Sequence, residues 1–510
     1  MTTNISRHSS LHGLPDHAVD DPLVGEASRS DRTSLHNEIV YQIFPDRFRN
    51  GRPEITPRPG AWSWRGRPIE VSRNIDDFTR HPEDQYTFYG GDLEGIRQSL
   101  PYLADELGVT TIYLNPIFAA KSTHRYDTVD FLRIDSALGD RSDFEALARD
   151  LHDRGMKLML DGVFNHTSVD HPWNQSLDVR KQHYMMRDST HPMTWQNHGS
   201  LPKLNTLAEP VIEHIMQIID AWPECDAWRL DAGHLLPESL LLKIRERAHP
   251  RPIIVEDWLF APHYFDRGLG DAITNFVFRE SLRKFFSEDG SPESLLGWIG
   301  GLVDHYGPDA IQQSWNLLDN HDVSRFISEV GRAHLLRAFV LQMTLPGNPV
   351  IFQGTEFGMT GKSEAYVRVP VNWHRETWDL ELLDHVKQFI SIRKSSSVFA
   401  TGAYVPIYAD NRSRTLAYAR MANPENPQTG PMAIVALNDG YMHGEVRLEA
   451  GGTYLRPGTR YAPVVQRLAD LNLDVLPFTM APGDWRVILR TEQDGEWTEH
   501  AGNTATGVIA

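Results

Sequence analysis

The sequence predicts an α/β protein whose main part is an eight-stranded (β/α)8 TIM barrel, followed by a C-terminal antiparallel β-sandwich. Two observations carry this prediction. Apolar runs of strand length alternate with helical runs over residues 35–394, which is typical of a parallel sheet covered by helices. Several of the apolar runs end in acidic, histidine or arginine residues, and in a barrel the carboxyl ends of the strands meet at one face.

The expected elements follow one another in a regular order along the 510 residues. Residues 1–34 are polar and lack an apolar stretch, so we expect a disordered tail. A first strand is expected at residues 38–44. Helices at about 93–107 and 143–154 lead into strands at 111–116 and 157–164. Further strands are expected near residues 227, 253, 272, 315 and 349.

Two segments depart from this alternation. Residues 167–210 are rich in His, Trp, Asn and Met with weak periodicity, and they are too long for an ordinary loop, so we expect an excursion after the third strand. From about residue 395 short alternating runs are punctuated by Asn, Asp, Gly and Pro, which favours an antiparallel β-sandwich over 395–492. Residues 493–510 are expected to be a tail.

Composition and charge exclude several classes of partner. The net charge of -18 argues against nucleic acid and anionic membranes, so a neutral substrate fits better. The single Cys225 cannot form an internal disulfide, and its setting favours a small buried residue over a nucleophile. Because no apolar run resembles a signal peptide or a membrane span, we expect a cytoplasmic protein. Its oligomeric state stays open.

Short motifs along the chain carry a family resemblance. Besides the strand-end clusters around Asp231, Glu256 and Asp322, the sequence contains Tyr41-Gln-Ile-Phe-Pro-Asp-Arg-Phe, Tyr89-Gly-Gly-Asp-Leu-Glu-Gly, His124-Arg-Tyr126-Asp-Thr and Gly347-Asn-Pro-Val-Ile-Phe-Gln-Gly-Thr-Glu. On these motifs the chain resembles the α-amylase family of retaining glycoside hydrolases over about residues 37–490. Within that family it is most similar to the neopullulanase, cyclomaltodextrinase and maltodextrin glucosidase group.

The resemblance implies three catalytic carboxylates. Asp231 matches the family's nucleophile, Glu256 its general acid and base, and Asp322 the carboxylate that holds sugar hydroxyls. Cleavage of a glycosidic bond needs an acid and a nearby carboxylate. Because neighbouring strands lie about 4.8 Å apart, we expect Asp231 and Glu256 to lie close together. Arg229 is expected to keep Asp231 ionised. The apolar run before Glu256 is expected to raise the pKa of that side chain.

A wider set of residues is expected to bind the substrate or to support the site. By resemblance, Tyr126 stacks beneath the reacting sugar with His124 beside it, and His166 and His321 bond sugar hydroxyls. The expected substrate-binding residues are His124, Tyr126, His166, Asn205, Arg229, His234, Trp258 and His321. Asp161 and Asn165 are expected to brace the mouth. Alternatives remain for some of them: a structural ion pair for Arg229 and Asp231, satisfied core positions for the histidines, and simple packing for Trp258.

Departures from the family pattern limit what the resemblance implies. Many relatives hold calcium in the loop after Arg-Phe-x-Asn-Gly, but here Arg52, Ile55 and Thr56 stand where oxygen ligands are expected. We therefore predict no metal and no cofactor, with Arg52 reaching Asp92 in the ion's place. Relatives also commonly carry an N-terminal β domain that supports a dimer, for which the first 34 residues are too short and too polar.

The predicted function is the retaining hydrolysis of α-1,4-glucosidic bonds in maltooligosaccharides or cyclodextrins. One alternative is a transglycosylase or isomerase that acts on α-glucosides such as trehalose or sucrose with the same site. A second is a non-catalytic carbohydrate-binding relative, which is disfavoured because Asp231, Glu256 and Asp322 are all present. Chain length, linear or cyclic substrate, and the chain end attacked stay open.

Overall fold

The structure is a computed structural model that describes residues 35–72, 86–287, 290–447, 461–470, 473, 475–490, 496–504 and 508–509. The predicted tail at residues 1–34 lies outside the described residues. Within the described ranges, no helix combines the length and the apolar content that a membrane crossing requires.

Eight parallel strands form the predicted barrel. They are β1 (Val40–Ile43), β2 (Thr111–Leu114), β3 (Lys157–Gly162), β4 (Ala227–Leu230), β5 (Ile253–Val255), β6 (Ala272–Ile273), β7 (Trp315–Leu317) and β8 (Asn348–Phe352). Their order is β6-β5-β4-β3-β2-β1-β8-β7. A parallel bridge between Thr274 and Trp315 joins the two outer strands and closes the barrel.

The strands are apolar on both faces because both faces are covered. Inside the barrel, one cluster joins residues from different strands, among them Val40, Met159, Ile254 and Val350. The outward-facing residues belong to a second cluster shared with the surrounding helices. The helices lie at Leu93–Gln98, Pro101–Leu107, Arg141–His152, Leu177–His183, Glu209–Ala221, Glu238–Ala248, His263–Asp266, Phe276–Phe286, Pro292–Tyr306, Pro308–Gln313, Phe326–Val330, Arg332–Thr344, Glu364–Val367, Leu380–Lys394, Val398–Thr401 and Ala462–Asp470.

The helix expected over residues 93–107 is divided. An α-helix covers Leu93–Gln98, and a π-helical turn covers Pro101–Leu107. Pro101 has no N–H to donate to the preceding turn, so the regular hydrogen-bond ladder stops before it.

The excursion after β3 folds back on itself. Isolated antiparallel bridges join His166 to Lys203, Tyr184 to Leu204 and Thr194 to Pro202. A short helix, Leu177–His183, lies between these segments. The excursion therefore returns to the carboxyl end of β3, where it started.

The C-terminal part is an antiparallel sheet of six strands. They are β9 (Ala403–Asp410), β10 (Thr415–Met421), β11 (Met432–Asn438), β14 (Asp484–Arg490), β15 (Trp497–Asn503) and β16 (Val508–Ile509), and β12 (Gly444–Val446) pairs separately with β13 (Phe478–Met480). One face of the large sheet joins the barrel core, as in the ring contact of Phe389 with Trp485 at 5.0 Å. The other face packs against Val446, Val464 and Met480, so the opposing layer is the small sheet and one helix.

The tail expected at residues 493–510 is wrong for its middle part. Trp497–Asn503 pairs with Asp484–Arg490 in continuous antiparallel register. This segment is polar at most positions and lies next to the edge of the sheet, where only its last two residues pair with β16. Backbone hydrogen bonds hold such a strand, so it does not need two apolar faces. The sequence of Trp497–Asn503 therefore lacks the apolar run by which the other strands were predicted.

Candidate active site

The register of the barrel strands brings the predicted acidic residues together. Arg229 on β4 lies opposite Asp161 on β3, and Leu230 lies opposite Val255 on β5. Asp231 and Glu256 are the next residues on β4 and β5, so both leave the sheet at the same level. All of these carboxylates are buried.

Arg229 is the centre of the acidic cluster. One terminal nitrogen lies 2.7 Å from Asp161 Oδ1 and 3.0 Å from Asp231 Oδ1. The other lies 2.6 Å from Glu256 Oε1. One guanidinium thus bonds three carboxylates, and the carboxylates outnumber the cation.

Asp161 is held from its other side by two tyrosines. The hydroxyls of Tyr113 and Tyr126 donate to its Oδ2 at 2.6 and 3.0 Å. The exposure of Asp161 is 1%, and it is not among the residues that line the cavity described below. Asp161 is therefore bonded on both sides by protein groups.

Glu256 has a polar environment, which corrects the expectation of an apolar one. Its Oε2 accepts the Ala232 N–H at 2.7 Å, and Ala232 has a positive φ of 45°, a strained conformation for alanine that aims this N–H at the carboxylate. Burial raises the pKa of Glu256, and Arg229 opposes that rise. Burial also raises the pKa of Asp231 well above its usual value, again opposed by Arg229. Arg229 therefore bonds both carboxylates. Their surroundings alone do not show which of the two is the nucleophile and which is the acid.

Asp322 lies between a cation and a histidine. Arg368 donates to its Oδ1 at 2.9 Å, and His321 Nε2 lies 3.1 Å from its Oδ2. Burial lowers the pKa of His321 well below its usual value, so the imidazole is neutral. Gln42 Nε2 lies 2.9 Å from His321 Nδ1, and since an amide N–H only donates, Nδ1 accepts and Nε2 carries the proton.

Three aromatic side chains form a stacked row beside the acids. Tyr126 stacks with His321 at 5.4 Å and with His124 at 6.0 Å. The Tyr126 hydroxyl donates to Asp161 and lies 2.7 Å from His321 Nε2. The ring of Tyr126 is therefore held by its two neighbouring histidines and by its hydroxyl. Burial lowers the pKa of His166 to about 3, so this side chain is neutral as well.

A cavity of about 370 Å³ opens above these residues. It has the size of a small-ligand site. The residues that line it come from the strand ends, the excursion and three loops: Trp64, Arg65, His124, Tyr126, His166, Trp195, Gln196, His198, Ser200, Leu201, Asp231, Ala232, His234, Glu256, Trp258, His321, Asp322 and Arg368. The structure thus places all three predicted catalytic acids on one cavity.

Trp258 both packs and lines the cavity. Its ring stacks on Phe276 with centroids 4.0 Å apart, while 44% of the residue is exposed. One ring face is therefore used in packing on Phe276, and the ring also borders the cavity. His234 is exposed at the same rim, and its backbone N–H donates to the Glu256 carbonyl oxygen at 3.3 Å.

Four predicted site residues do not line the cavity: Asp161, Asn165, Asn205 and Arg229. Arg229 was expected to bind substrate, but its guanidinium is bonded to the three carboxylates. Asn205 was expected to contact the substrate, but its side chain faces its own turn, where Oδ1 accepts from the Leu207 N–H at 3.4 Å. Asparagine commonly caps turns in this way. Asn165 is fully buried, and its amide lies 3.1 Å from His166 Nδ1, so it orients that histidine.

Sequence reasoning missed the loop residues, above all Trp64, Arg65 and Arg368. Arg368 donates to the His321 carbonyl oxygen at 2.9 Å in addition to Asp322. No strand end precedes any of the three, and only the Arg65-Gly66 pair carried a turn signal.

The loop in which the resemblance implies calcium does not fit that ion. Asp92 accepts backbone N–H bonds from Gly51, Arg52 and Gly95 at 2.6–3.2 Å. Calcium requires several oxygen ligands, whereas here amide donors occupy the carboxylate. The guanidinium of Arg52 bonds Asp143 at 2.8 Å, so the expectation that this side chain reaches Asp92 is wrong and only its backbone does. In the described part of the chain, no group of three His, Cys, Asp or Glu residues could hold a metal.

Comparison with known proteins gives a consistent result. The family described as "Alpha amylase, catalytic domain" matches residues 42–258 and 263–396. A cyclomaltodextrinase from Geobacillus thermopakistaniensis is 32% identical over 411 residues, 76% of this chain and 67% of that protein. Neopullulanase 2 from Thermoactinomyces vulgaris is 32% identical over 413 residues, 76% of this chain and 68% of that protein. The chain thus spans about two thirds of the length of these relatives.

Solved structures agree on the fold. A cyclic α-maltosyl-(1→6)-maltose hydrolase from Arthrobacter globiformis superposes with a TM-score of 0.73 at 23% identity, covering 92% of this chain and 100% of that one. A type III pullulan hydrolase from Thermococcus kodakarensis gives a TM-score of 0.72 at 26% identity, covering 81% of this chain and 78% of that one.

Proposed function

The chain belongs to the α-amylase family of glycoside hydrolases, and from that premise we propose that it hydrolyses α-1,4-glucosidic bonds of maltooligosaccharides or cyclodextrins with retention at the anomeric carbon. The observation that carries the proposal is the single guanidinium of Arg229, which bonds both Asp231 and Glu256. Retention requires two carboxyl groups about 5 to 5.5 Å apart, and two carboxylates on adjacent nitrogens of one guanidinium are compatible with that spacing.

The proposed roles of Asp231 and Glu256 follow from the positions they match in the family, because burial raises the pKa of both and Arg229 bonds both. Asp231 is the nucleophile, and its bond to Arg229 opposes the effect of burial and so favours the ionised form. Glu256 is the acid that protonates the leaving oxygen and then the base that activates water. Asp322 bonds hydroxyls of the reacting sugar while Tyr126 stacks beneath it.

The water that completes hydrolysis enters on the side of Glu256. As the Asp231 carboxylate bonds to the anomeric carbon, the bond to the leaving oxygen breaks and that oxygen takes the Glu256 proton, which leaves a glycosyl ester on Asp231. Glu256, now a carboxylate, removes a proton from water as the water oxygen attacks the anomeric carbon and the bond to Asp231 breaks. This step restores the Asp231 carboxylate and the protonated Glu256.

Product analysis tests the proposal. The protein is incubated with maltotriose, maltoheptaose, β-cyclodextrin, pullulan, sucrose and trehalose, and the products and their anomeric configuration are followed by chromatography and NMR. We expect shorter maltooligosaccharides in the α configuration. Release of the β anomer or no turnover of any glucan contradicts the proposal. Products longer than maltotriose, or rearranged sucrose or trehalose, favour the transglycosylase or isomerase alternative.

We also propose that the enzyme works in the cytoplasm. A relative from Bacillus subtilis, 30% identical over 407 residues, is named an intracellular maltogenic amylase. Fractionation of cells that express the full chain tests this, with activity in the periplasmic or culture fraction as the contrary result.

A further inference from the structure

We propose that the hairpin of residues 63–68 is the end wall of the substrate cavity on the donor side, and that Arg65 at its tip binds the non-reducing end of the glucan. The enzyme then acts from that end of the chain and releases a product of one fixed length. This inference rests on the proposed function and extends it to the mode of attack.

The hairpin is a tight two-stranded turn. Ser63–Trp64 pairs antiparallel with Arg67–Pro68, and the two turn residues between them have positive φ, 48° for Arg65 and 78° for Gly66. Positive φ at both positions is what a two-residue hairpin turn of this type requires. Glycine or asparagine adopts it easily and arginine does so at a cost, so the arginine is placed there against local preference, as is common at functional positions.

The hairpin is fixed to the protein at its base and along one side. Trp62 Nε1 donates to the Lys121 carbonyl oxygen at 2.9 Å, and its ring packs on Phe88 at 5.4 Å. Trp64 is 4% exposed and packs on Tyr86 at 4.9 Å and on His124 at 5.6 Å. The wall is therefore held in place before the substrate arrives.

Arg65 is available to bind a ligand. It is exposed, lines the cavity, and its guanidinium lies 5.5 Å from the centre of the Trp64 ring. Among the described residues it makes no ion pair, in contrast to Arg67 two residues later, which bonds Glu70 at 2.7 Å. An unpaired guanidinium offers several N–H donors in a fixed plane, which suits the hydroxyls of a terminal glucose.

The position of Glu256 identifies this side of the cavity as the donor side. A general acid faces the leaving oxygen, so the rim next to Glu256, with His234 and Trp258, holds the part of the substrate that leaves. The hairpin instead packs on His124, which stacks with Tyr126. Both residues follow β2, and β3 and β4 lie between β2 and β5 in the barrel. A glucan that extends from the reacting sugar away from Glu256 therefore meets Trp64 and Arg65.

The test compares two linear substrates of equal length, maltoheptaosides with the same aryl group at the reducing end. In one the non-reducing terminal sugar is free, and in the other it is blocked as a 4,6-ethylidene acetal. Initial rates are measured by mass spectrometry of all products. We expect the wild-type enzyme to cleave the free chain at least 100-fold faster and to release one first product.

One variant on the hairpin and one control outside it test the role of Arg65. In Arg65→Asn the turn conformation is kept because asparagine tolerates positive φ, and kcat/KM on the free chain should fall about tenfold or more with the loss of charged hydrogen bonds. Arg133→Asn is the control and should stay within about twofold, since Arg133 is exposed and lies outside the hairpin and the cavity. Equal cleavage rates on the free and the blocked chain contradict the proposal that the hairpin is an end wall. An unchanged kcat/KM in Arg65→Asn contradicts the proposed role of Arg65. If neither chain is cleaved, the proposed function fails and this inference fails with it.

Discussion

Replacement of Asp231 by asparagine separates the chemistry of this site from its stability. Asparagine keeps the shape of the side chain, and its amide oxygen can still accept from Arg229. The negative charge and the nucleophile are lost. Because Arg229 remains bonded to Asp161 and Glu256, the substitution leaves no buried cation unpaired.

The substitution should lower activity and raise stability. Turnover of maltoheptaose should fall by at least about 10⁴-fold, or roughly 5.5 kcal/mol of transition-state stabilisation. Stability should rise by about 1–2 kcal/mol at pH 7, because one of three carboxylates around a single cation disappears. For a chain of this size we expect the melting temperature to rise by about 1–3 °C.

The gain in stability should also depend on pH. The pKa of Asp231 is raised well above its usual value by burial and by neighbouring carboxylates. A carboxyl with a raised folded pKa binds its proton more tightly in the native state, so it costs stability as the pH rises from the unfolded pKa, about 3.9, towards the folded one. The difference in melting temperature between Asp231→Asn and wild type should therefore be small near pH 4 and grow as the pH rises above that value.

Calorimetry and single-turnover kinetics on the same preparations measure both effects. The control is Asp266→Asn, an exposed aspartate outside the cavity, which should change neither quantity. Activity within tenfold of wild type refutes the proposed nucleophile. A large loss of activity together with a fall of several degrees in melting temperature refutes the electrostatic account of the cluster, since the loss then reflects a damaged structure.

Three further predictions concern the acid, the metal and the contact between barrel and sheet. Glu256→Gln should slow maltoheptaose hydrolysis by about 10²- to 10⁴-fold and slow α-maltosyl fluoride much less, since fluoride leaves without a proton; equal losses on both contradict an acid role. Incubation with EDTA should leave the melting temperature unchanged within about 1 °C because amides already bond Asp92, and a fall that added calcium reverses contradicts this. Asp439→Asn should lower stability by about 3–5 kcal/mol, because the buried Arg337 and the partly buried Arg414 lose their carboxylate, while activity at 25 °C stays unchanged.

The barrel could be predicted because its signal is local. A strand that is buried on both faces is apolar without interruption, and the polar residue that follows marks its carboxyl end. The break at Pro101 and the strand Trp497–Asn503 were not foreseen for different reasons. The first depends on how a proline is accommodated within a helical run, and the second on pairing with a strand that itself had to be placed first.

The site residues differ in the same way in how far they could be predicted from the sequence. Residues at strand ends, such as Asp231 and Glu256, could be placed from sequence because the sheet fixes their direction. Arg368, Trp64 and Arg65 belong to loops, and only contacts from distant parts of the chain bring them to the cavity, as when Arg368 bonds the His321 carbonyl oxygen. The error on Asn205 has the same origin, since its side chain bonds its own turn.

The excess of carboxylates around Arg229 lowers the stability of the folded protein and also favours the proposed reaction. Three carboxylates share one guanidinium, and the resulting repulsion contributes to the raised pKa of Asp231 and of Glu256. An oxocarbenium-like transition state carries positive charge on the sugar. That charge offsets the excess negative charge of the three carboxylates. The repulsion among the carboxylates, which destabilises the free protein, is therefore weaker in the transition state. The site then stabilises the transition state more than the ground state. A neutral inhibitor shaped like glucose gains little from this imbalance, whereas a protonated imino sugar of the same shape should bind more tightly, and Asp231→Asn should remove most of that difference.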